Sequence, residues 1–458
     1  MNNFIFYDTE TTGLEERDFI QIIQIGSIYT NSDLKTIDEI DLLCRPLPWT
    51  LVTPKALLVN KKIEIFDAQL THYVFMKKIR DTWMKWTQKP AVFVTYNGMF
   101  FDEELIRRQF FWNLMDPYMT NTDGNTRLDL LPKLAPIYTF YRDQFFFPTV
   151  NGKVSFKLEA FAKALNIETA NAHDALTDCI FLKELLKSIK DKLPNYFIDM
   201  MEKLQKNEQA ERLSTEINIF TTRTGKYFPF LLLDHENLNS NKRYIYNLNF
   251  DPIVLLNHSL NELKQCLLDK DTNPLKKINI SHTQPVIKLS TLEADNIDLE
   301  IDRLELEKRK NFIEQNPELI ERILAITSTD AEKSYDHDYP EQMIYSMGFP
   351  DQYTKDIFKK FHECENAKDC MELINRIDNK VYSEFASRIC AQRYPNDVPE
   401  VVLRNCKNLI SQRFNEEGPW PKAKTYLAES KKLLESATDS NERKLIGTVI
   451  NSIESNLS

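Results

Sequence analysis

The sequence predicts an α/β domain, then a strand-rich segment, then an all-helical end. Three observations carry that order. Strand-like and helical apolar patterns alternate up to about residue 190, paired strands follow from about 215 to 290, and beyond 350 the pattern is helical almost throughout. A length of 458 residues also exceeds one ordinary core, which agrees with two or three domains.

The elements follow in order. "NNFIFYDTET" reads as a buried strand, "DFIQIIQIGSIYT" as a second and "KTIDEIDLLCRP" as a third. "MKKIRDTWMKWTQ" has helical spacing, "PAVFVTYNG" is a short buried strand, and "DEELIRRQFFWNL" is a helix. "LEAFAKALNI" and "AHDALTDCIFLKELLKSIK" read as amphipathic helices. The polar stretch "EKLQKNEQAERLS" reads as a linker, and "EINIFTTRTGKYFPFLLLD" and "NKRYIYNLNF" as strand pairs joined by turns. A longer helical pattern covers 300–327, and turns at "RYPNDVPE" and "EEGPWPKAK" punctuate the helical end.

Composition narrows the class. The 42% hydrophobic and 28% charged content is that of a soluble globular chain. No apolar run approaches the roughly 20 residues of a membrane span, and no basic start followed by a long apolar stretch marks a secretory signal. Seven cysteines are scattered, odd in number and without a Cys-x-x-Cys pair, which predicts reduced thiols in a cytoplasmic protein. The net charge of -10 by itself disfavours a nucleic-acid partner without excluding one. Nine glycines form no phosphate-cradling loop, so ATP- or dinucleotide-driven chemistry has no support.

The informative feature is a pair of acids, Asp8 and Glu10, in "FYDTETTGL". Residues two apart on a strand share a face, where two carboxylates repel unless a cation lies between them. Alone, the pair also fits a solvated strand end. Asp102 opens a helix after "YNGMFF", where an anion is favoured as a cap or as a ligand. In "NAHDALTDC", His173 precedes Asp178 by five, and Asp178 falls on the otherwise apolar side of a helix, a costly place for an unpaired acid. Alone, His173 also fits a satisfied or exposed histidine.

Together, Asp-x-Glu on the first strand, Asp102 after "N-x-x-x-F", and His-x-x-x-x-Asp resemble the three-motif signature of the DEDDh 3′-5′ exonucleases. That resemblance implies a ribonuclease H-like mixed sheet flanked by helices. It also implies phosphodiester hydrolysis by two divalent ions on the order of 4 Å apart. Carboxylate oxygens suit magnesium, with manganese as a substitute. Asp8, Glu10 and Asp178 would hold the pair, Asp102 would complete the second ion's shell, and His173 would be the general base. Glu10 would also reach the sugar of the last nucleotide.

The rest of the chain resembles bacterial exonuclease I, a family specific for single-stranded DNA. The likeness rests on "YNGMFFDEELIRRQFFWNLMDPY", "SFKLEAFAKALNIETANAHDALTD", "HTQPVIKLSTLEADNIDLEIDRLELEKRKNFIEQNP" and the "RYP" turn at Arg393 to Pro395. It implies three domains: an exonuclease domain at 1–190, a small β-barrel-like α+β domain at 194–347, and an all-α C-terminal domain at 350–458. They would enclose a groove for the strand and act in DNA repair and recombination. Lys157 stands where the family has an arginine and would hold a phosphate without the bidentate fork. Arg107 aligns with a family arginine, and Tyr118 could stack on a base. A solvated helix face for Arg107 and core packing for Tyr118 stay open, as does a groove role for Lys276, Lys277 and His282. "RLELEKRK" alternates in sign as a wet helix face does. "DTETTG" and "MTNTDGNT" depart from the family pattern, the second calling one family stacking contact into question and leaving the five catalytic positions untouched. The resemblance further implies a monomer that meets the acidic tail of single-stranded-DNA-binding protein. Alternatives are a DEDDh enzyme for RNA 3′ ends and a non-catalytic single-strand-binding platform.

Overall fold

The computed structural model describes residues 2–14, 16–167, 174–202, 204–233, 241–269, 273–327 and 338–457. Five strands form the first sheet: β1 (Asn3–Thr11), β2 (Ile22–Thr30), β3 (Thr36–Leu43), β4 (Ala91–Thr95) and β5 (Thr126–Asp129). Their order is β3-β2-β1-β4-β5. β1 runs antiparallel to β2 and parallel to β4, so the sheet is mixed. The helices of this part are α1 (Pro54–Asn60), α2 (His72–Trp86), α3 (Asp102–Trp112), α4 (Leu130–Phe140), α5 (Leu158–Ala164) and α6 (Ala175–Lys192). A two-residue hairpin, β6 (Thr149–Val150) and β7 (Lys153–Val154), precedes α5.

β1 is central because both of its faces are apolar, as a strand covered on two sides requires. Ile5 and Tyr7 pack with Trp83 of α2 and Phe110 of α3, while Phe4 and Phe6 pack with Leu182 and Leu186 of α6. The even positions continue into Asp8 and Glu10, so the acids leave the sheet on the α6 side.

The middle of the chain holds β8 (Asn218–Thr221), β9 (Tyr227–Leu233), β10 (Lys242–Asn247), β11 (Leu275–Asn279) and β12 (Val286–Lys288). They form an antiparallel sheet of order β11-β10-β9-β8-β12. Around it lie α7 (Pro194–Met201), α8 (Lys206–Thr215), α9 (Pro252–Asn257), α10 (Leu260–Leu268), α11 (Leu289–Ala294), α12 (Arg303–Gln315) and α13 (Pro317–Thr327).

Two sequence expectations change here. The polar stretch read as a linker contains α8, fastened by buried Leu213 and by an ion pair between buried Arg212 and Asp199 of α7. Its polarity hid a helix held through one edge only. The strand-rich segment also contains α9 and α10, where Asp251 caps the first and a Ser259–Glu262 capping box starts the second.

The helical end comprises α14 (Gln352–Glu363), α15 (Ala367–Ile374), α16 (Lys380–Arg393), α17 (Glu400–Asn415), α18 (Ala423–Ser436) and α19 (Ser440–Glu454). It shares cores with the first part. Phe361 of α14 and Phe385 of α16 join the cluster of α2 and α3, and Val449 and Ile453 of α19 pack with Leu57 of α1. No helix among the described residues is long and apolar enough to cross a membrane.

Candidate metal centre

Asp8, Glu10 and Asp178 each offer a carboxylate oxygen, and these atoms all lie within 4.8 Å of one another. Asp8 stands opposite Gly26 of β2 and Glu10 opposite Gln24, with a register shift just beyond Glu10. Such irregularities re-aim side chains at the ends of strands. Asp178 arrives from α6, which lies so close to β2 that a Cβ on Gly26 would fall 2.2 Å from the Leu176 nitrogen and 2.3 Å from the Ala175 carbonyl carbon. Glycine at 26 is what lets the first turn of α6 rest on the sheet.

Asp174 caps α6 by accepting from the Thr177 N–H. It is held by Gln24 Nε2 at 3.0 Å and Lys62 Nζ at 2.5 Å. Burial raises its carboxyl pKa, but the hydrogen bonds from Gln24 and Lys62 outweigh that and hold it at about 2. Lys62 follows α1, so α1, β2 and α6 are tied together beside the acids.

Asp102 is the first residue of α3, with Phe101 in the cap position. Its Oδ1 accepts from the buried Thr9 hydroxyl. A Cβ on Gly98 would lie 2.8 Å from Asp102 Oδ2, so this loop also depends on a glycine. Asp129 ties the loop down by accepting from Asn97 N at 2.7 Å and Met99 N at 3.3 Å. The middle segment braces the same corner: Thr283 Oγ1 accepts from Asp129 N at 2.9 Å, and His282 meets the Phe100 ring edge-on at 4.3 Å.

The electrostatics are those of crowded acids. Burial, then Asp102, Asp178 and Glu10, push Asp8 well above the usual carboxylate range. Burial and then Asp178 push Glu10 up to about 8, against the pull of Lys62. Burial lifts Asp102 to about 7, although the Thr9 hydroxyl favours its charged form. Four neighbouring carboxylates ionise together only beside compensating positive charge. An all-oxygen donor set of this kind fits a hard divalent cation.

The remaining sequence candidates divide. His173 lies outside the described residues. Lys157 is exposed just before α5, with its backbone N–H donating to Ser155 Oγ. Arg107 Nε donates to Glu103 Oε1 at 2.9 Å, and its guanidinium lies 5.1 Å from the centre of the Tyr118 ring. Tyr118 meets the exposed Phe349 edge-on at 5.4 Å. Lys276 lies over Phe220 and Lys277 over Tyr244.

Several contributors escaped the sequence reading. Lys62, Gln24, Thr9 and Asp129 carry no motif signal of their own. Asp174 did carry one, as an acid directly before a helix. Glu103, next to Asp102, is buried and accepts from Tyr7, Arg107, Thr120 and Arg127. Burial alone would raise its pKa, but Arg127 and Arg107 draw it down to about 2.

Comparisons with known proteins agree with this geometry. Residues 5–186, which contain nearly all of the mixed sheet, match the family model described as Exonuclease. More particularly, the chain is similar to exodeoxyribonuclease I. It is 32% identical over 216 residues to that of Buchnera aphidicola subsp. Acyrthosiphon pisum, covering 46% of this chain and 51% of the relative. It is 26% identical over 372 residues to that of Escherichia coli K12, covering 76% and 77%. The match thus spans about half the length of the first relative. The full chain superposes on E. coli exonuclease I in complex with a dA16 oligonucleotide with a TM-score of 0.81 at 22% identity, covering 100% of both chains. A moderately thermophilic exonuclease I from Methylocaldum szegediense gives 0.81 at 21%, again over both whole chains. The chain has the exonuclease I fold throughout its three parts.

Proposed function

We propose that this chain degrades single-stranded DNA from the 3′ end to nucleoside 5′-monophosphates, in DNA repair and recombination. The observation that carries the reading is the convergence of Asp8, Glu10 and Asp178 within 4.8 Å of one another at the tip of β1. Likeness to exodeoxyribonuclease I along most of the chain supports the choice of DNA, as does the E. coli enzyme's oligonucleotide complex.

Two magnesium ions, replaceable by manganese, are the proposed cofactors; Asp8, Glu10 and Asp178 would hold them, and Asp102 would complete the shell of the second ion. When bound, they supply charge stabilisation for the attacking and leaving oxygens. The protein's own part is positional. The Thr9 hydroxyl orients Asp102, and Gln24 and Lys62 hold Asp174 so that α6 presents Asp178. His173 takes the proton from the attacking water. Lys157 and Arg107 serve the phosphates, Tyr118 stacks on a base, and Glu10 reaches the terminal sugar. The proposed division is an exonuclease domain at 1–190, a small-barrel domain at 194–347 and a helical domain at 350–458. The chain acts as a cytoplasmic bacterial monomer, with the tail of single-stranded-DNA-binding protein as a partner.

A gel assay tests this on 5′-labelled single-stranded DNA with magnesium, beside matched RNA, blunt duplex and the Asp178→Ala variant. The expected result is a ladder shortening from the 3′ end on DNA alone, absent in the variant and in chelator. Equal digestion of RNA would move the function to RNA processing. Binding without digestion would favour a single-strand-binding platform.

A further inference from the structure

The joint between the exonuclease part and the helical end holds a cavity of about 40 Å³. A water-sized atom needs roughly 10–15 Å³ by this measure, so the space takes a group of about three or four such atoms. Phe19 and Trp112, the last residue of α3, line it from one side. Glu341, from the turn before α14, lines it from the other, with Arg413 of α17 and Trp420 of the loop that follows. Glu341 and Arg413 are each 4% exposed, Trp420 5% and Trp112 8%, so bulk water does not satisfy them.

Glu341 Oε1 accepts from Arg388 Nη1 at 2.8 Å and from Arg413 Nη2 at 2.9 Å. Burial would raise this carboxyl, but Arg388 and Arg413 outweigh it and hold the pKa below the usual carboxylate range. Glu341 is therefore an anion that can only accept. Its Oε2 has no hydrogen-bond partner among the described residues, and neither have Arg413 Nη1, Trp112 Nε1 and Trp420 Nε1. The Arg413 guanidinium is fixed between rings, 4.2 Å from the Trp420 centre and 4.6 Å from the Phe19 centre. Asp18, the other acid on the cavity wall, is engaged by Arg108 Nε at 2.8 Å. A buried polar atom without a partner is costly, so four such atoms on residues that line one cavity point to a group that serves them all.

That group must accept from three N–H donors, one of them cationic, and donate to one carboxylate oxygen. An oxyanion that keeps one proton does both: its oxygens accept from Arg413 and the two indoles, and its hydroxyl donates to Glu341. A fully deprotonated oxyanion would instead set a lone pair against the carboxylate. The charge also suits an anion. Two buried guanidiniums share the one buried carboxylate, because Glu384, the second partner of Arg388, is 47% exposed and screened by solvent. We propose that this cavity binds a small oxyanion carrying a proton, of the bicarbonate class, which ties the exonuclease part to the helical end. The inference is independent of the nuclease activity, because none of these residues belongs to the acid cluster.

The test titrates the full-length protein with sodium bicarbonate or sodium nitrate at fixed ionic strength and mildly alkaline pH, reading tryptophan fluorescence and the thermal midpoint. The two ions share a planar shape and a single charge, and only bicarbonate carries a proton to give. Hydrogen phosphate against sulfate asks the same of a tetrahedral ion. Bicarbonate is expected to give a saturable rise in midpoint that nitrate does not. Trp112→Phe and Trp420→Phe each keep an aromatic ring and remove one N–H, and each should weaken the apparent affinity about tenfold. Glu341→Gln turns the acceptor facing the ion into an amide that can donate, so this variant should respond to nitrate. If it does not fold, the two phenylalanine variants decide the matter. An equal response to bicarbonate and nitrate would overturn the proposal. So would unchanged affinity in both phenylalanine variants, or no saturable response to any of the four ions, which would mean that water alone serves these groups.

Discussion

Replacing Gly26 by alanine tests how α6 carries Asp178 to the tip of β1. The added Cβ would sit 2.2 Å from the Leu176 nitrogen and 2.4 Å from the Leu176 Cα, both backbone atoms. Ordinary contact needs roughly 3.5–4.0 Å, so the first turn of α6 must lift by on the order of 1 Å. That movement draws Asp178 away from Asp8 and Glu10 and strains the Asp174 cap. Overpacking of this kind costs about 1–3 kcal/mol, and a displacement on the order of 1 Å in a reacting constellation costs about 100-fold in rate. Urea unfolding and kcat at saturating DNA and magnesium measure the two effects. Gly447→Ala is the control, because a Cβ there meets nothing within 4 Å and lies inside α19. It should leave turnover unchanged and gain roughly 0.5–1 kcal/mol. A Gly26→Ala protein with wild-type turnover and stability would refute the claim that this contact sets the position of Asp178.

Two further outcomes are expected. Burial holds His72 and His362 at a pKa of about 4, each inside the joint between the exonuclease part and the helical end. Their unfolded-state value lies near 6.5, so the unfolded chain takes up protons first as pH falls. Stability is therefore complete above about pH 6.5 and declines toward pH 4, by a few kcal/mol for the pair. Thermal melts of His362→Gln should show a shallower acid decline than wild type, and an identical decline would count against the assignment. Glu103→Gln should destabilise by about 3–5 kcal/mol, because it leaves Arg107 and Arg127 without their buried carboxylate. Urea titration measures this, and a loss below about 1 kcal/mol would mean that other groups compensate those arginines.

The legible part of this protein was the part written in local pattern. The apolar run Phe4 to Tyr7 identified a strand covered on both faces, and the two-residue spacing of Asp8 and Glu10 placed both acids on one face. The run "AHDALTDCIFLKELLKSIK" announced the helix that bears Asp178, observed at Ala175–Lys192. These readings succeed because strand and helix periodicities are properties of neighbouring residues. The α8 stretch was misread for the complementary reason: its hold on the fold is Leu213 and the Arg212–Asp199 pair, and neither shows as a periodic stripe.

The sequence by itself determined the residue types of the site, their order and the elements that carry them. Tertiary structure alone decided how near those residues come. Gly26 admits α6 to the sheet, Lys62 and Gln24 bind the Asp174 cap, and Thr9 holds Asp102 across 93 residues of chain. It also decided that Tyr426, more than 400 residues after Glu10, lines the same cleft. Such proximities are set by the packing of whole elements against one another, and packing depends on volumes and approaches that no local spacing encodes.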